Sequence, residues 1–346
     1  MIDFSNFKEL VDVIQHYLHG DSDIETLFAA ARDAREPYYG KRVFLRGLIE
    51  ITNFCRQDCF YCGIRRSNTA LRRYRLDCEQ ILECVRIGYT LGFSSFVLQG
   101  GEDMYYTDDI MANIVSSIKK ELPDCAITLS MGEQSRESYQ RYYDAGADRY
   151  LLRHETADAV HYSKLHPIGV TLENRKRCLY DLREIGFQTG AGFMVGSPYH
   201  TIENLAQDLI FLNELQPHMV GIGPFIPHNA TLFKDFPAGG VKLTLIMIAL
   251  CRIMLPKSML PATTALASID EHGREKAMFA GANVVMPNLS PYEYRADYSL
   301  YDNKLFTGSE AAEALAAIKK RIADIGYTPD LSMGHHYSYA DMQKCK

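Results

Sequence analysis

The chain has 346 residues, 47% of them apolar, and a formal charge of −6 at pH 7. That length and apolar content suffice for one large core, so a single domain of barrel size is expected. The negative balance, with no run of basic residues, speaks against nucleic acid or an anionic membrane as the main partner and favours a small-molecule substrate.

The first fifteen residues, Met1 to Gln15, are acidic and amphipathic and lack the charged leader, apolar stretch and cleavage site of a signal peptide. No uninterrupted apolar stretch of roughly eighteen residues follows that could span a bilayer. A cytoplasmic protein is expected. Its nine cysteines would then stay reduced, and their spacing is read for metal or catalysis before disulfides.

Two amphipathic helices, about Phe4 to Leu18 and Ile24 to Arg35, occupy residues 1–36. From residue 37 to 300, short apolar runs alternate with longer amphipathic segments, the pattern of a parallel α/β fold and here of a (βα)8 TIM barrel. The expected strands are Val43 to Ile51, Ser95 to Gln99, Ala126 to Ser130, Arg149 to Glu155, Gln188 to Gly196, Met219 to Ile226, Pro261 to Leu266 and Asn283 to Asn288. Helices are expected over Cys78 to Tyr89, Ser135 to Asp144, Glu173 to Glu184 and Ile202 to Leu215, each closed by a Gly or Pro. Residues 301–346 form a C-terminal helical extension with a helix over Glu310 to Ile325. In such a barrel the chemistry sits in the loops at the C-terminal mouth.

Directly after the first strand comes Cys55-Arg56-Gln57-Asp58-Cys59-Phe60-Tyr61-Cys62, a CxxxCxxC loop. Three thiolates in one short loop can wrap three corners of a [4Fe-4S] cubane and leave the fourth iron open. An open iron can chelate the amino and carboxylate groups of S-adenosylmethionine (SAM), whose reductive cleavage gives a 5′-deoxyadenosyl radical. Tyr61 would cover the cluster or the adenine. The alternatives are a three-thiolate zinc site, for which no fourth ligand follows at a usual spacing, or three unrelated core cysteines.

Strand alternation supplies a second inference. Arg46 and Glu50 share the inward face of the first strand, and Arg153 shares a face with Glu155. Inward arginines are costly unless matched to an anion or paired. They suit a lumen for carboxylate or cyanide-like ligands; the alternative is an internal salt bridge such as Arg46 with Glu50. His154, His228, His335 and His336 are read as structural or solvated, and none as a ligand.

The CxxxCxxC loop with an aromatic before its third cysteine resembles the radical SAM superfamily. Within it, RVFLRGLIEI, CRQDCFYCGIRR, VLQGGED, AGADRYLLRHET, ENR, TGAGFMVG, MVGIGPFIPH, LPATTA and GANVVMPN resemble the HydE family of iron-iron hydrogenase maturases. The resemblance implies that Gly100, Gly101 and Glu102 meet the methionyl amine, that Glu155 contacts the amine or ribose, and that Arg175 pairs with the carboxylate. It implies that Met194 and Ile222 form an apolar shelf for adenine. Arg46, Arg153, Thr263, Thr264 and Tyr298, with Ser130 as a weaker candidate, are carried over as substrate-binding groups. The implied substrate is a small cysteine-bound iron carbonyl cyanide precursor in assembly of the hydrogenase active site. Implied partners are an electron donor such as ferredoxin or flavodoxin and companion maturases.

The sequence departs from relatives with a second cluster, since residues 301–346 contain only Cys345, and one cluster is expected. Biotin synthase needs further strand cysteines that this chain lacks. A radical SAM amino-acid mutase such as methylornithine synthase is the rival enzyme, although Ala262-Thr263-Thr264-Ala265 stands where that family is expected to carry an acid. A nonenzymatic metal-binding protein is the rival from another class; it would not need Glu102, Glu155 and Arg175 together.

Overall fold

The computed structural model describes residues 2–20, 23–305 and 311–339. The chain opens with α1 (Phe7–His19) and α2 (Ile24–Tyr39). Asn6 and Asp23 cap them by accepting the Glu9 and Glu25 amides. The first barrel strand is in two pieces, β1 (Arg42–Leu45) and β2 (Gly47–Thr52). There follow α3 (Cys78–Thr90), β3 (Ser95–Gly100), α4 (Asp108–Glu121), β4 (Ala126–Ser130), α5 (Arg136–Asp144) and β5 (Arg149–Leu151). Next come α6 (Ala159–Leu165), α7 (Leu172–Ile185), β6 (Gln188–Ala191), β7 (Met194–Val195), α8 (Ile202–Leu215), β8 (Met219–Val220) and β9 (Gly223–Pro224). The chain then forms α9 (Val241–Met254), α10 (Thr264–Ile269), α11 (Gly273–Phe279), β10 (Val284–Val285), α12 (Tyr292–Arg295), α13 (Ala311–Asp324) and β11 (Thr328–Asp330).

Six parallel strands run in the order β2-β3-β4-β5-β6-β8. The parallel pairing of β1 with β10 and backbone links beyond the strands close them into a barrel. Val220 N–H donates to Met259 O at 3.0 Å, Ala262 N–H to Val284 O at 2.8 Å, and Leu48 N–H to Pro287 O at 2.8 Å. The seventh expected strand is therefore an extended stretch of bridges through Met259 and Pro261. Its expected C-terminal half, from Thr264, instead forms α10, because Thr263 caps a helix by accepting the Leu266 amide. Glycines end the helices as expected: Gly92, Gly146 and Gly186 all have positive φ.

The N-terminal helices lie on the barrel flank, α1 against α8 and α9, and α2 against α9. This outer layer explains why α9 is apolar on all sides and buried from Thr244 to Arg252. The C-terminal extension is not solely helical. After α13, β11 pairs in parallel with β1, and the segment beyond it seals the barrel floor. Gly334 O accepts from Arg46 at 3.2 Å and Met333 O from Arg149 at 2.6 Å. Glu310 and Cys345, singled out in the sequence, lie outside the described residues. No helix of the described residues is long and apolar enough to cross a membrane.

Candidate active site

The loop after β2 carries Cys55, Cys59 and Cys62 to the mouth, where it is held by many bonds of its own. Asp58 accepts both arms of Arg65 at 2.7 and 2.8 Å and the Ser67 hydroxyl at 2.7 Å. The Arg65 guanidinium holds the Asp58 carboxyl well below the usual range. Arg73 donates to the Ile64, Arg65 and Asn68 carbonyls, and Arg75 grips Asp103 at 2.7 and 2.9 Å. The loop is also laced to the segment after β3: Arg56 N–H donates to Glu102 O at 2.9 Å, and Glu102 N–H to Cys55 Sγ at 3.4 Å.

The three cysteines line one cavity, close enough for each thiolate to raise another's proton affinity. Burial pushes the Cys62 thiol up to about 12, with Cys55 adding to the rise, and lifts Cys59 well above its ordinary value, with Cys62 adding. Without metal these thiols keep their protons; soft cations would displace them and relieve the mutual repulsion of three thiolates. Among the described residues, no three His, Cys, Asp or Glu side chains close on a single ion. Thiolates bound to different irons of a cubane stand further apart than the ligands of one zinc ion, so this donor set fits a cluster better than zinc.

The thiols open on a cavity of about 330 Å³, within the range of small-molecule sites. Of the residues expected to seat SAM, Tyr61, Gly100, Gly101, Glu102, Glu155, Arg175 and Met194 line it. Ile222 does not: its side chain packs in the hydrophobic core, while Gly221, Pro224 and Phe225 line the wall. The Glu102 carboxylate is engaged by Arg56 at 2.9 Å, Gln57 at 2.7 Å and the Glu133 amide at 2.9 Å. Arg175 is aimed by Glu133, at 2.5 Å from its Nε, and by Arg153 O, at 2.5 Å from its Nη1.

Of the expected substrate groups, Ser130, Arg153, Thr263 and Tyr298 line the cavity. Arg153 pairs with Glu155, Nε to Oε1 at 3.1 Å, so the two do share a face. Thr264 does not line it, because the first turn of α10 carries that side chain away. Arg46 is also elsewhere. Its side chain enters the barrel four residues before Glu50, about 13 Å nearer the floor at the rise of an extended strand, and meets Met219 Sδ at 3.1 Å and Gly334 O. The considered Arg46–Glu50 bridge is absent: Glu50 pairs with Lys304 and accepts from Asn288 at 2.8 Å.

Glu133, Arg73, Arg75, Asp103 and Lys304 escaped the sequence reading. Asp103 sits in the VLQGGED stretch and was legible as a motif member without a role, and Arg73 and Arg75 lie in the loop that follows the cysteines. Glu133 and Lys304 lie in loops without periodicity, and nothing local marks them.

The model of the radical SAM superfamily matches residues 49–212. The chain is 47% identical over 310 residues to the [FeFe] hydrogenase maturase subunit HydE of Thermotoga maritima, covering 90% of this chain and 88% of that protein. It is 29% identical over 314 residues to 3-methylornithine synthase of Methanosarcina acetivorans, covering 90% and 87%. A crystal structure of methylornithine synthase (PylB) superposes with a TM-score of 0.80 at 25% identity, covering 99% of this chain and 96% of that one.

Proposed function

The chain belongs to the radical SAM superfamily and, within it, to the family of its HydE relative, and from that premise we propose that it is a HydE-type hydrogenase maturase. Its substrate is a small cysteine-bound iron carbonyl cyanide precursor. The observation that carries this reading is the convergence of Cys55, Cys59, Cys62, Glu102, Glu155 and Arg175 on one cavity.

Cys55, Cys59 and Cys62 would hold a [4Fe-4S] cluster, which with SAM supplies a 5′-deoxyadenosyl radical by reductive cleavage when both are bound. Arg175 offers its guanidinium to the SAM carboxylate, and Glu155 its carboxylate to the amine or ribose. Met194 and Phe225 provide apolar surface for adenine. Deeper groups suit an anionic ligand: Arg153, and Thr263, whose Oγ accepts the Leu266 amide and so keeps its own hydrogen for a ligand. Tyr298 and Leu300 close the mouth and keep bulk water from a reactive intermediate. An electron donor such as ferredoxin or flavodoxin, and companion maturases, complete the reading.

Anaerobic reconstitution with iron, sulfide, SAM, reductant and the iron precursor tests it. The expected result is 5′-deoxyadenosine formed together with loss of the precursor. SAM cleavage with the precursor untouched would leave radical chemistry in place and remove the maturase assignment. The likeness to methylornithine synthase favours a second reading, an amino-acid mutase, for which a rearranged amino acid would be the product. Thr263 and Thr264, in place of an acid, count against it.

A further inference from the structure

Glu155 has a left-handed backbone, φ 65°, which in a residue with a Cβ costs on the order of 1 kcal/mol or more and persists only where the surroundings fix it. Backbone bonds to Gly192 and Met194 hold it from one side, and a side chain outside the cavity holds it from the other. Asp208, on α8, is fully buried, and its Oδ1 accepts the Ala157 N–H at 2.5 Å, two residues after Glu155. The same oxygen lies 3.3 Å from His154 Nε2, one residue before Glu155, and Oδ2 lies 3.9 Å from His200 Nε2.

The main chain orients both imidazoles. Gly192 N–H donates to His154 Nδ1 at 3.4 Å and Gly196 N–H to His200 Nδ1 at 3.0 Å. Burial keeps both rings neutral, pulling His200 down to about 3 and His154 well below the usual range. A neutral ring whose Nδ1 accepts carries its hydrogen on Nε2, so both Nε2–H groups lie beside Asp208, close to it but without a formed hydrogen bond. Burial drives the Asp208 carboxyl up, against the Ala157 amide that lowers it, and the side chain holds the turn through the bond it accepts from the Ala157 N–H. Gly192 and Gly196 bracket Met194, whose N–H donates to Glu155 O at 3.1 Å. One carboxylate thus ties together the turn that bears Glu155 and the segment that bears Met194.

We propose that Asp208 is a positioning residue for SAM: acting through Glu155, it holds that carboxylate in its strained conformation, facing the cavity. The inference rests on the cavity being the SAM site; Asp208 itself does not line it.

The test is a double-mutant cycle on SAM affinity in cluster-loaded protein, with Asp208→Asn, Glu155→Gln and the pair. Asparagine keeps the size and the acceptor for Ala157 but turns an NH2 toward an imidazole N–H. The expected result is about tenfold weaker binding for each single variant, no further loss when D208N is added to E155Q, and a melting temperature for D208N lowered by no more than a few degrees. Losses that multiply would overturn the proposal, because groups acting through one side chain cannot be additive; so would wild-type affinity in D208N. Should D208N fail to load a cluster, His154→Gln carries the same expectation and the same refutation. Wild-type protein that loads a cluster yet binds no SAM would instead defeat the reading of the cavity.

Discussion

Gly101 leaves no room for a side chain: a Cβ there would stand 2.2 Å from Phe54 O and 2.7 Å from Cys55 Cβ. Gly101→Ala should therefore push the cysteine loop outward and lower the iron and sulfide bound per chain by more than half, while the melting temperature of the iron-free protein hardly moves. Replacing Cys55, Cys59 or Cys62 by Ala should abolish the cluster absorbance and 5′-deoxyadenosine formation alike, since each thiolate is bonded to its own iron. Arg175→Met removes a guanidinium aimed by Glu133 and Arg153 O. A lost charge-assisted hydrogen bond of about 1.5–3 kcal/mol predicts SAM binding weaker by roughly 10- to 150-fold at unchanged cluster content, measured by equilibrium binding. These residues were legible because each sits in a short motif whose chemistry is local. Arg46 was not: alternation gives the face of a strand correctly but not the depth, and depth decides between cavity and floor.

At the scale of elements, the barrel helices named from the sequence, α3, α5, α7 and α8, were legible to within a few residues because caps and glycine stops are written locally, whereas α4 and α9 were not named. Ile24–Tyr39 ran past the expected end at Arg35 and through Pro37, since its burial against α9 outweighs one lost backbone bond. Strand β11 was missed: Thr-Pro-Asp has no alternation, and only its parallel pairing with Arg42 to Phe44 makes it a strand. Its role is structural, since it leads the C-terminal segment under Arg46 and Arg149. A chain ending at Gly326 strips both buried guanidiniums of their carbonyl partners. Losing the partner of a buried charge costs about 3–5 kcal/mol, so the melting temperature should drop by about 10 °C. An unchanged melting temperature would show that the floor does not need this seal.

Across the whole molecule, several histidines are buried as neutral rings. Burial pulls His218 down to about 4, and His200 and His336 to about 3. Their folded values lie below the unfolded value near 6.5, so the unfolded chain binds more protons between the two. Their stabilising effect is whole above about pH 6.5 and is lost as pH falls toward about 3. Urea denaturation midpoints should accordingly fall steadily from pH 7 to pH 5; a flat profile would contradict the burial. The barrel class was legible from the alternation of runs, whereas its closure by bridges through Met259, Pro261 and Leu48 was not, because closure is set by contacts distant in sequence. Everything functional depends on three thiolates holding a cubane with one free iron, and Mössbauer and EPR spectra of anaerobically reconstituted protein, recorded with and without SAM, examine that directly. A cluster of three thiolate-bound irons and one distinct iron, whose signal changes on adding SAM, is the predicted result; four equivalent irons, or a spectrum indifferent to SAM, would contradict it.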